Sequence, residues 1–108
     1  MEIAFHTREL RSLCTSPTIA TKKLGRDVAT ALRAALADVE AAANPEELPT
    51  RAASSSGTSI EFQLPLVAFY FAVFASNHNR DREAPPGMKI DWRRVNRVKL
   101  MGIIKEND

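Results

Sequence analysis

The side chains able to do chemistry gather in the last third of the chain. Between residues 80 and 105 stand eight basic residues, Arg80, Arg82, Lys89, Arg93, Arg94, Arg97, Lys99 and Lys105, against three acidic ones, Asp81, Glu83 and Asp91. That segment carries a net +5 although the whole chain carries only +2, so the remainder is mildly acidic. Such a concentration focuses positive potential where a polyanion would be attracted. It is also the composition of a solvated strand face, and composition alone does not separate the two. His78 is the only histidine beside the cluster, and Tyr70 and Trp92 are aromatic rings within reach of it in sequence. Each ring has two readings, a platform for a flat ligand or a buried packing residue.

Other chemistries find little support. His6 and His78 lie far apart and Cys14 is the one cysteine, so no zinc-ligand spacing exists and no metal is expected. Gly25, Gly57, Gly87 and Gly102 are isolated, which gives neither a dinucleotide nor a Walker-type loop, and no cofactor is expected. Ser54-Ser55-Ser56-Gly57 lacks the lysine of a phosphate-binding loop and reads as a connection. Cys14 has no histidine nearby and reads as a small apolar residue on a helix.

The elements that must position these residues follow from hydrophobic period. The 108 residues suit one domain with a single core. An initial strand over residues 2–5 is followed by a helix from Arg8 capped by Thr7, and Ser16-Pro17 ends it and starts a second, longer helix. From Ile19, the residues Leu24, Val28, Leu32, Leu36 and Val39 form one stripe on a 3.6-residue period. Gly25 falls inside that helix and reads as a close-packing point. Asn44-Pro45-Glu46-Glu47 is a cap, a first-turn proline and two acids, predicting one further short turn.

Ile60, Phe62 and Leu64 alternate with Glu61 and Gln63, as in a half-buried strand ended by Pro65, and residues 69–75 are apolar on both faces, as in a central strand paired with it. A long polar excursion over residues 76–87 precedes a last strand, where alternation sends Val98, Leu100 and Ile104 inward and Arg97 and Lys99 outward, with Gly102 interrupting the inward row. The fold class expected is α+β: an N-terminal strand and a helical hairpin packed on a small, mostly antiparallel sheet. The longest apolar run, residues 64–75, is short of the roughly 20 residues that span a bilayer, so no membrane contact is expected. A lone cysteine and a start without a secretion signal predict a cytoplasmic protein.

Two stretches resemble the RelE/ParE toxin superfamily, and within it the plasmid-maintenance killer proteins of the host-inhibition-of-growth (HigB-like) type. Lys23-Leu24-Gly25-Arg26-Asp27-Val28-Ala29 through Leu36-Ala37-Asp38 to Glu47-Leu48-Pro49 is similar to that family's second helix and its exit. Asn77-His78, Pro85-Pro86-Gly87, Ile90-Asp91-Trp92 and Val95-Asn96-Arg97-Val98-Lys99-Leu100 are similar to its penultimate loop and last strand. The resemblance implies a RelE-like fold and the toxin of a type II toxin–antitoxin pair. Such a toxin enters the translating ribosome and acts there as a metal-independent mRNA endoribonuclease. The implied partners are mRNA, the ribosome and a cognate antitoxin of helix-turn-helix type.

Cleavage of that kind needs a base for the 2′-hydroxyl, an acid for the leaving 5′-oxygen and cations around the phosphorane. The catalytic candidates are therefore His78, Arg97 and Lys99. Arg80, Arg82, Arg93 and Arg94 would hold the RNA backbone while Tyr70 or Trp92 stacked on a base. His78 has a second reading, a loop histidine bonded to its neighbours.

The chain departs from the family in three places. No basic residue stands in Ala53-Ser54-Ser55-Ser56-Gly57-Thr58, Phe69-Tyr70-Phe71 stands where members carry an arginine, and the end Lys105-Glu106-Asn107-Asp108 lacks the family's acid, aromatic and histidine. Those departures fit the alternative of a catalytically diverged module that acts by binding an antitoxin or other protein. A gyrase inhibitor of the ParE branch fits the last strand less well.

Overall fold

A computed structural model describes residues 1–52, 61–82 and 90–106; the side chains of Arg51, Ala52 and Arg82 lie outside it. Strand β1 (Glu2–Phe5) leads into helix α1 (Arg8–Thr15), α2 (Pro17–Leu24) and α3 (Arg26–Ala41). A 3-10 turn (Pro45–Glu47) and a two-residue strand β2 (Arg51–Ala52) follow, then β3 (Glu61–Pro65) and β4 (Tyr70–Ser76). A short helix α4 (Asn79–Arg82), a second 3-10 turn (Trp92–Arg94) and β5 (Arg97–Lys105) complete the order. The five strands form one sheet in the order β1-β5-β4-β3-β2, in which only the β1–β5 pair is parallel. This is the α+β class expected, with a sheet that is mostly antiparallel. The loop Ser54-Ser55-Ser56-Gly57, the Pro85-Pro86-Gly87 segment and Lys89 lie outside the described residues.

Local chemistry explains the helical boundaries. The Thr7 hydroxyl accepts the Leu10 N–H at 3.1 Å and the Ser16 hydroxyl accepts the Ile19 N–H at 3.3 Å, so each helix begins on a side-chain cap. Ser16 also closes α1, and Pro17 takes the first turn of α2, where its missing N–H costs nothing.

The second helix is not continuous, as its period suggested. Gly25 has φ +87° and ψ 161°, a conformation almost confined to glycine, and it divides α2 from α3. A Cβ placed there would meet nothing within 4 Å, so backbone conformation rather than close packing explains the glycine. The helical layer is therefore three helices joined at Ser16 and Gly25. The stripe beyond the break is inward as expected, with Val28, Leu32 and Val39 buried; Ile19 points outward and Ala20 takes the buried place.

The core lies between this layer and one face of the sheet. Phe74, Ala72, Val98 and Leu100 are fully buried, and Phe62 stacks on Phe74 with ring centroids 5.4 Å apart. Each such pair adds about 0.5–1.5 kcal/mol beyond burial. The Met1 amino group donates to the carbonyls of Val39, Glu40 and Ala42 at 3.2, 2.9 and 2.7 Å. A positive charge thus sits on the carbonyl-rich end of α3, which favours cations.

Strand β5 corrects the expected alternation. Val73 pairs with Gly102 but Phe74 pairs with Leu100, so Met101 is an extra residue, a β-bulge. Side-chain parity changes there: Ile103 packs against the core, while Ile104 is paired with Phe71 and exposed. The β3–β4 hairpin closes with positive φ at Ala68 (55°) and Phe69 (67°), the pattern of a type I′ turn usually filled by glycine or asparagine. No helix among the described residues is long and apolar enough to cross a membrane.

Candidate functional site

The cationic segment folds into a corner where β4 ends and β5 begins. Two bonds define its interior. Ser76, 1% exposed, donates its hydroxyl to the Asp81 carboxylate, and the Asp81 N–H donates to the His78 carbonyl at 3.1 Å. A buried carboxylate requires such a partner, and this one pulls α4 back against the end of β4. Neither Ser76 nor Asp81 carried a sequence signal beyond a polar loop; only the close pairing of the end of a strand with a one-turn helix reveals them.

From that hook two side chains reach across to the approach of β5. His78 Nε2 accepts the Asn96 backbone N–H at 3.1 Å, and the Arg80 guanidinium donates to the Arg94 carbonyl at 3.0 Å, with Asp81 3.8 Å from its Nε. Burial lowers the His78 pKa below the ordinary 6.5; Arg80 and then Arg97 push the same way, while Asp81 and a hydrogen bond with the Asn96 side chain oppose them. The neutral form of His78 is thereby favoured, and its Nε2 lone pair is occupied. Protonation at Nε2 would set a donor against the Asn96 N–H. As a general base it would first have to give up that bond. The loop-histidine reading of the sequence describes this geometry.

The remaining cations divide by what they hold. Arg93 binds Asp91, with Nε 3.3 Å from Oδ1, inside the second 3-10 turn. Arg97 stands opposite Glu2 of β1 in the parallel register, its Nε 3.6 Å from Glu2 Oε2, and both are largely exposed. The Arg94 and Lys99 side chains pair with no carboxylate among the described residues. Lys99 pairs with Ala75 of β4 and Ala4 of β1 and is half-buried. Arg82 belongs to α4 but its side chain lies outside the described residues.

The two aromatic candidates stand elsewhere. Trp92 meets Phe62 edge to face, centroids 5.3 Å apart, on the core side of the sheet. Tyr70 begins β4 at the opposite end of the sheet, with Lys105 Nζ 5.5 Å from its ring centroid. Along a strand its four-residue separation from Phe74 is about 13 Å. The structure thus brings together His78, Arg80, Arg94 and Arg97, keeps Lys99 one pleat further along, and leaves Trp92 and Tyr70 out of the group.

Among the described residues the corner groups cations, and its histidine and its buried carboxylate are bonded to different partners. Ser76, His78 and Asp81 do not make a nucleophile relay, because the Ser76 proton goes to Asp81 and His78 faces a backbone amide. Among the described residues no group of three or more histidine, cysteine or acidic side chains is placed to hold a metal ion. Cys14 is equally quiet: burial raises its thiol pKa to about 11, and it packs against the core. No family model, curated protein or solved structure matches this chain.

Proposed function

We propose that this chain is the toxin component of a type II toxin–antitoxin pair, built on a RelE/HigB-like fold, and that it acts by binding RNA at the translating ribosome. The observation that carries the reading is the corner itself. Arg80, Arg94, Arg97 and Lys99 converge from α4, the second 3-10 turn and β5 on a surface whose interior bonds hold it rigid. Arg94 and Lys99 supply the charges not engaged by carboxylates, and Arg97 becomes available when a phosphate displaces Glu2. With the His78 lone pair engaged, the geometry favours binding over cleavage.

The test is a reconstituted translation reaction with mRNA 5′ ends mapped, run alongside the Arg94→Ala, Lys99→Ala double variant. Inhibition by the parent and its loss in the variant is the expected result. New 5′ ends confined to translated messages would add endoribonuclease activity to the reading; inhibition without them assigns a block. Absence of inhibition by folded protein overturns the proposal. In that case the diverged protein-binding module is the better reading, and it has its own support in the apolar outer half of the open sheet face, where Ile104, Phe71 and Pro65 form one cross-strand row.

A further inference from the structure

A second basic surface lies on the helices, away from the corner. The break at Ser16-Pro17 opens an angle between α1 and α2, and the recess between them, about 670 Å³, is lined by Arg8, Glu9 and Ser12 from α1 and Ile19, Lys22 and Lys23 from α2. Arg8, Lys22 and Lys23 are exposed, and none of the three pairs with a carboxylate among the described residues. Glu9 alone opposes them in the lining. Ile19, 36% exposed, is the apolar side chain of the recess, turned out because Ala20 fills the core position beside it.

We infer that this groove docks an acidic amphipathic segment of another protein, with an aliphatic side chain seated on Ile19 and carboxylates set against Arg8, Lys22 and Lys23. Charge complementarity selects an anion, and Ile19 selects an amphipathic one. Among the described residues the lining holds no phenylalanine, tyrosine, tryptophan or histidine, so a single-stranded nucleic acid would find phosphate partners but no ring there for its bases to stack on. A helix suits the occupant, since residues three and four apart share a face and can bracket one aliphatic anchor with acids. The inference is independent of the RNA reading, because it uses no residue of the β4–β5 corner.

The experiment measures binding of the full chain to a fluorescein-labelled synthetic helical peptide with leucines on one face and glutamates on its flanks. A peptide with lysine for each glutamate and a labelled oligouridylate serve as the other probes. The glutamate peptide binds and the lysine peptide does not. Lys22→Glu with Lys23→Glu, and separately Ile19→Ser, each weaken the glutamate peptide by about tenfold or more while leaving oligouridylate binding unchanged. Both changes fall on exposed side chains, and circular dichroism checks the fold. Peptide affinity that ignores the lysine changes overturns the inference. So does affinity that ignores Ile19→Ser, which would leave bare charge attraction, and so does oligouridylate that competes the peptide away.

Discussion

The β4–β5 corner and the α1/α2 groove are both basic, yet their charges are in different states. At the corner Arg80 already holds a backbone carbonyl, Arg93 holds Asp91 and Arg97 faces Glu2. In the groove Arg8, Lys22 and Lys23 stand around an exposed isoleucine with no carboxylate partner among the described residues. Density of charge along the chain points to the first region; availability of charge in space points to both. A guanidinium has five N–H donors, so one spent on its own fold leaves others for a ligand, but a carboxylate already beside it offsets part of its attraction for an anion.

Three experiments would break or sharpen this contrast. The largest effect is expected from Asp81→Ala, which leaves the buried Ser76 hydroxyl without its acceptor and removes the charge beside Arg80. Urea denaturation should show a loss of about 2–3 kcal/mol, whereas Lys22→Ala in the groove should stay within about 0.5 kcal/mol. Equal, small losses would mean that the corner is not self-bonded as described.

The next effect is in pH. The folded pKa of His78 lies below its unfolded value, so its contribution to stability is fully present above pH 6.5 and is lost as pH falls through the folded pKa. The denaturation midpoint should therefore fall across that window in the parent more than in His78→Gln. Parallel curves would remove His78 from the corner's bonding.

The smallest effect is expected from Glu2→Gln. Stability should change by less than about 1 kcal/mol, because the pair with Arg97 is exposed. RNA affinity should nevertheless rise, because Arg97 then meets phosphate without first leaving a carboxylate. Unchanged affinity would show that Arg97 does not meet phosphate.

Much of the fold was legible because its signals are local. Thr7, Ser16-Pro17 and Asn44-Pro45 announce turns and caps through the bonds they make to their own neighbours. Phe62 and Leu64 announce a buried face by alternation. The features that escaped are those a local pattern leaves degenerate. Gly25 costs a helix the same whether it packs closely or breaks it, and only its positive φ decides. Ala68 and Phe69 occupy a turn whose usual residues they are not, so nothing marked it.

The candidate site was legible as a charge count and not as a geometry. Glu2 reaches Arg97 only because the first and last strands run parallel side by side, a pairing across nearly the whole chain. His78 was rightly placed beside the cluster, but its partner is a backbone amide, which any residue type supplies. Trp92 was counted with the cations because it adjoins Arg93 and Arg94 in sequence; the 3-10 turn sends it to the core side.

The bulge at Met101 gives β5 an uneven tolerance for changes in length. Removing Met101 would leave Leu100 opposite Phe74 and Gly102 opposite Val73, with every cross-strand partner kept. Losing Leu100 or Gly102 would draw Met101 into the vacated place, and a loss further along would exchange the inner and outer places of the residues between it and the bulge. An insertion or deletion in the history of this strand is therefore best absorbed at one position, and sequences that differ from it by a single residue in length should be aligned with the gap there.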